Sequence, residues 1–103
     1  MDLTITAASP SQVTARLSFS AHDPWVREHF PGSPLLPGSL VLAAVLHLAE
    51  HLAAQTWTVR RLRCHAPVPP GSYRLCVTQQ QGGVRGMLVD GQDTPLVSAE
   101  LVQ

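Results

Sequence analysis

Seven consecutive apolar residues, Leu40 to Leu46, constrain this chain more than any other feature. They lie in a segment from about Pro37 to Ala54 that predicts a helix. A helix apolar on every side is buried all round, whereas a surface helix rests one stripe on a core. Pro37 suits the first turn, where its missing N–H would have no intrahelical partner. His47, Glu50 and His51 gather at the far end, so only that end is expected to reach solvent or a site. The run is too short to span a bilayer, which takes roughly 20 residues.

The rest of the chain reads as strands. Leu3-Thr4-Ile5 opens one, closed by Ser9-Pro10-Ser11. Val13, Ala15, Leu17 and Phe19 alternate with Thr14, Arg16, Ser18 and Ser20, the period of two that marks a half-buried strand. From Ala21 to Pro37 there is no periodicity, and Pro24, Pro31, Pro34 and Pro37 forbid regular structure. A loop of that length in a compact domain is commonly functional. After the helix come Thr56–His65, Ser72–Gln80, Val84–Asp90 and Pro95–Val102, read as consecutive antiparallel strands. Their separators are Pro67-Val68-Pro69-Pro70-Gly71, Gly82-Gly83 and Gly91-Gln92-Asp93. Strands around one buried helix make an α+β fold, a long central helix wrapped by a curved antiparallel sheet of about five or six strands. A chain this short would leave such a helix partly uncovered, and a second subunit is its natural cover.

Length and composition agree. The 103 residues are expected to form one domain, 1–103. Charged residues make up only 14%, below the average of about 25%, as fits a surface partly covered by another subunit. Seven basic residues, all Arg, balance seven acidic ones, which argues against a nucleic-acid partner. The N-terminus has neither the basic start nor the apolar run of a signal peptide. Cys64 and Cys76 fit no metal spacing and no disulfide framework, and read as buried free thiols of a cytoplasmic protein. No membrane partner is expected.

The loop before the helix reads His29-Phe30-Pro31-Gly32-Ser33-Pro34-Leu35-Leu36-Pro37-Gly38. It resembles the signature of the FabZ/FabA-type 3-hydroxyacyl-thioester dehydratases, His-Phe-Pro-Gly-x-Pro-x-x-Pro-Gly, at every fixed position. Val59-Arg60-Arg61-Leu62-Arg63 with the Pro67–Gly71 turn, Val89-Asp90-Gly91, and Ala99-Glu100-Leu101 extend the resemblance over nearly the whole chain. The resemblance implies a hotdog fold and a carrier-protein-bound 3-hydroxyacyl substrate of fatty-acid or polyketide (polyene included) synthesis. It implies no cofactor and no metal. Dehydration removes a proton from C2 and protonates the departing C3 hydroxyl. A neutral imidazole suits the first step because its pKa lies near the working pH, and by resemblance His29 is that base. The thioester oxygen gains charge as the proton leaves, and fixed donors aimed at it lower the barrier. The Gly38 N–H, at the positive end of the helix, is the expected donor. Phe30, Pro31 and Gly32 are expected to shape the substrate side of the loop.

The family's second catalytic group is a Glu or Asp fourteen residues after the histidine, and here that position is Ala43. Ala44, Val45 and Leu46 offer no acid by a one-residue slip. His47, which stands where the family usually has Gln, lies one turn on and on the same face. Glu28 precedes His29, and Glu50 lies roughly 10 Å from Ala43 along the axis. The preferred source of the acid is a partner subunit, because in this family the His and the acid of one site come from different subunits. The alternatives are a homodimeric dehydratase or isomerase with His47 or Glu28 as substitute acid, and a non-catalytic acyl-carrier-binding scaffold. His47-Leu48-Ala49-Glu50-His51 also matches the inverted zinc-peptidase pattern, but it lacks the third ligand and reads as a polar helix end. Arg60, Arg61 and Arg63, with Arg74 and Arg85 on neighbouring strands, are the expected contact for an acidic acyl carrier protein.

Overall fold

The computed structural model describes residues 1–24 and 35–103. Six strands and one helix occur among them in this order: β1 (Asp2–Ala8), β2 (Gln12–Phe19), α1 (Gly38–Leu52), β3 (Thr58–Cys64), β4 (Gly71–Gln80), β5 (Gly83–Val89) and β6 (Pro95–Val102). They form one antiparallel sheet, ordered β1-β2-β4-β5-β6-β3. The architecture is α+β, a helix laid across a six-stranded antiparallel sheet.

The alternation of β2 sets its faces. Val13, Ala15, Leu17 and Phe19 are buried under the helix, and Thr14, Arg16 and Ser18 point away. The same alternation gives β4 its buried Tyr73, Leu75 and Val77. Across from β2 the register places Ala15 beside Leu75 and Leu17 beside Tyr73, so apolar side chains meet on one face. Tyr73 stacks on Phe19 at 6.3 Å between centroids and donates to the Pro69 carbonyl. Burial, and then the charge of Asp90, push its phenol pKa up.

One expectation changes. The segment after the helix was read as the first of consecutive strands, but β3 pairs with β6 and not with β4. The connection from His65 to Pro70 carries the chain past β6 and β5. Pro67, Pro69 and Pro70 lack the N–H groups that would tie this link into a ladder. As expected of so short a chain, the helix is not enclosed on every side by the described residues. Its buried residues are Val41, Ala44, Val45, Leu48 and Ala49, spaced i, i+3, i+4, i+7 and i+8. Leu40, Leu42 and Leu46 are only half-buried, and Ser39, Ala43, His47, Glu50 and His51 are exposed. The apolar residues in excess of one stripe therefore face outward.

Close helix–sheet contact depends on Gly86 of β5. A β-carbon there would lie 2.6 Å from a methyl of Val45, so the helix sits where only a glycine admits it. The last hairpin is held by Asp90, whose carboxylate accepts from the Gln92 N–H at 2.8 Å and the Thr94 N–H at 3.0 Å. Those bonds hold its pKa below the ordinary carboxylate value. Among the described residues no helix is long and apolar enough to cross a membrane.

Candidate active site

The segment entering α1 is pinned from below. The Leu36 N–H bonds the Val68 carbonyl at 2.9 Å, and Leu36 and Pro37 are buried. Pro37 is extended and its carbonyl begins the helix, accepting from Leu40 at 3.1 Å. Gly38 follows as the first helical residue. Among the described residues its N–H has no hydrogen-bond partner, as expected of a first-turn donor without a capping side chain. This donor stands at the positive end of a helix of 15 residues.

Gly38 lies against β3. A β-carbon at this position would stand 2.8 Å from the Cys64 Sγ and 3.8 Å from a Leu62 methyl. Cys64 was expected to be buried and is exposed. The reason is topological: β3 is an edge strand, and all its residues are exposed. Beside Gly38 opens a hollow of about 350 Å³, mostly apolar, bounded by Leu35, Pro37, Cys64, Ala66, Val68 and Val97 among others. His65 also lines it, its Nε2 2.9 Å from the Ser98 hydroxyl. Sequence reasoning missed Cys64 and His65, because only the β3–β6 pairing brings them to the helix start. A larger hollow of about 410 Å³ runs past Arg16, Tyr73, Arg74 and Asp93. It holds none of the described motif residues, and its Arg74 is tied to Asp93.

His29, Phe30, Pro31, Gly32 and Glu28 lie outside the described residues. Ala43 and His47 lie on one exposed stripe of α1 with Ser39, each one turn from the next. The His47 and His51 rings meet edge to face at 5.6 Å between centroids. Glu50 is exposed on the same end of the helix. Arg60, Arg61 and Arg63 are all exposed on β3. They do not share a face: Arg61 lies opposite Glu100 and Arg63 opposite Ser98, whereas Arg60 is the extra residue of a β-bulge. Arg85 flanks Glu100 from the other side.

The motif that opens α1 falls within the stretch matched by a family model, the ApeI-like model described as ApeI dehydratase, which aligns with residues 5–86. The chain belongs to the ApeI-like dehydratase family. The ApeI-like match runs from β1 into β5 and includes the whole of α1. Among solved structures, the chain is similar to the dehydratase heterocomplex ApeI:P from Xenorhabdus doucetiae. The TM-score is 0.78 and the identity 21%, over 99% of this chain and 97% of that one. An uncharacterized protein from Erwinia carotovora subsp. atroseptica aligns with a TM-score of 0.70 and 25% identity, over 96% and 88% of the two chains. The protein smu.793 from Streptococcus mutans, solved bound to acetyl CoA, aligns with a TM-score of 0.72 at 7% identity, over 98% and 86%. A search of curated proteins gives no match. The fold is the hotdog fold shared with these neighbours.

Proposed function

We propose that this chain is one half of a heteromeric 3-hydroxyacyl-carrier-protein dehydratase of fatty-acid or polyketide synthesis. It supplies a base and an oxyanion donor, and a second hotdog subunit supplies the acid. The observation that carries the reading is Ala43. It occupies the acid's position by motif spacing and is exposed on the uncovered stripe of α1, where a partner's residues would meet it. A methyl group can neither donate nor accept a proton, so one chain holds half of the chemistry. The heterocomplex among the structural neighbours supports the same assembly.

In the proposed site the His29 imidazole takes the C2 proton. The electrons move toward the thioester carbonyl, whose oxygen accepts from the Gly38 N–H. The C3–O bond then breaks as the partner's carboxylic acid protonates the hydroxyl, releasing water and leaving the C2=C3 double bond. Phe30, Pro31 and Gly32 line the approach, and the apolar hollow beside Gly38 suits an acyl chain or the arm that carries it. Exposed Arg60 of β3 and Arg85 of β5, off the facing positions of the β3 edge, meet the acidic carrier protein. The reaction needs no cofactor and no metal.

The test is turnover of a 3-hydroxyacyl-carrier substrate by the purified protein, alone and mixed with an acid-bearing hotdog subunit. A slow lone protein and a fast mixture are expected. Full turnover by the lone protein would overturn the heteromer and favour His47 or Glu28 as acid. A mixture that stays fully active after His29→Ala would make this chain a scaffold.

A further inference from the structure

The free edge of β3 carries a charge pattern that bears on which subunit covers it. The strand ends the sheet, with β6 on one side and nothing on the other among the described residues. Its faces follow from the register. Val59, Leu62 and Cys64 lie opposite buried Leu101, Ala99 and Val97, and so share the helix side. Val59 and Leu62 are nonetheless 40% and 37% exposed. Unpaired backbone groups beside uncovered apolar side chains are a template for strand pairing. The other edge, β1, lies away from α1, whereas Leu62 and Cys64 touch the helix start, so a partner on β3 reaches the site.

Arg61 and Arg63 occupy the outer side, and no acidic residue stands on the strand. Glu100, opposite Arg61 on β6, is shared with Arg85 on β5, and among the described residues none of these forms an ion pair. Two copies pairing antiparallel about a two-fold axis would repeat one contact. An axis at Arg61 sets that residue against itself, an axis at Leu62 sets Arg61 against Arg63, and an axis at Arg63 sets Arg63 against itself. Each places like charges directly opposite, which destabilises a strand pair. An edge strand with carboxylates at the facing positions would instead make complementary cross-strand pairs.

We propose that the β3 edge selects its partner by charge, disfavouring a second copy of this chain and favouring a non-identical hotdog subunit with an acidic edge strand. The proposal rests on the heteromeric reading above and adds how the heteromer is chosen. Specificity then comes from a repulsive element as well as an attractive one.

A charge swap within this chain tests it without the natural partner, a carrier protein or catalysis. Wild type and an Arg61→Glu/Arg63→Glu variant carrying a different tag are mixed, and dimers are counted by native mass spectrometry. The mixed dimer is expected well above its statistical share, by about two- to five-fold per facing pair, and the excess should shrink in high salt. A neutral Arg61→Gln/Arg63→Gln variant, shown folded by circular dichroism, should self-associate more tightly than wild type even if the Glu variant fails to fold. Statistical mixing, self-association indifferent to both substitutions, or monomers throughout would overturn the proposal. Charge-dependent pairing in this assay, with no turnover when this chain is mixed with an acid-bearing hotdog subunit, would instead count against the dehydratase reading alone.

Discussion

Gly38 and Cys64 are packed so closely that a β-carbon on Gly38 would stand 2.8 Å from the Cys64 sulfur. The start of the helix, where the proposed oxyanion donor sits, is therefore positioned against the edge strand that lies open to a partner. Gly38→Ala is expected to push the two elements apart and destabilise the protein by about 1–3 kcal/mol, the usual cost of overpacking. The sulfur is the end of a short side chain, so Cys64→Ala should remove most of that cost. A double-mutant cycle by urea denaturation checks it. Equal costs of Gly38→Ala in both backgrounds would show that the contact is not what the glycine serves.

Gly86→Ala is expected to cost more than a typical surface change, about 1–3 kcal/mol. The new methyl would enter the space of Val45, which is 1% exposed and β-branched, with one favoured rotamer in a helix. Val45→Ala should cost less in the Gly86→Ala background than alone, because the added methyl fills the vacated space. Thermal or urea midpoints of the four proteins decide this.

Asp90 predicts a direction of pH dependence. Its carboxylate is stabilised in the folded state by the Thr94 and Gln92 N–H groups, so its folded pKa lies below its unfolded one. The unfolded state then binds the proton more readily, and the contribution is present above the ordinary aspartate value of 3.8. It is lost as the pH falls through the lowered folded value. Asp90→Ala should be less stable than wild type near neutrality, with the gap closing in acid. A gap independent of pH would place the effect of the substitution elsewhere.

Ala43→Glu should raise the dehydratase activity of the lone protein and leave its stability nearly unchanged. Losing one positioned acid or base typically costs about 10²–10⁴-fold in rate, and restoring an acid should recover part of that. The site is exposed, and Glu is a good helix former, so the folding cost should stay within about 0.5 kcal/mol. Turnover of the single variant against wild type, with denaturation curves alongside, is the measurement. Unchanged activity in a folded variant would argue that the missing acid is not what limits the lone chain.

His29→Ala should abolish turnover of the mixed complex and leave the association of the subunits intact. The imidazole is proposed to act on the substrate, so its loss should appear in the rate, with the same complex seen by light scattering.

Local sequence determined the elements of this protein. Alternation marked Gln12–Phe19, the Pro and Gly separators marked the strand ends, and the apolar run marked α1 to within a residue or two of Gly38–Leu52. The motif also located Gly38 at the helix start and Ala43 on the helix. Period and punctuation are local properties, legible in short windows. What only the tertiary structure decided is who neighbours whom. Alternation tells a strand which side to bury but not which strand to join, so nothing near Thr58–Cys64 disclosed that it would leave β4 and pair with β6 at the edge. That one choice exposes Val59 and Leu62, brings Cys64 against Gly38, and sets Arg61 and Arg63 on a free rim. The helix is buried on one stripe only because a single sheet covers one of its sides, and the rest of its apolar surface is uncovered among the described residues.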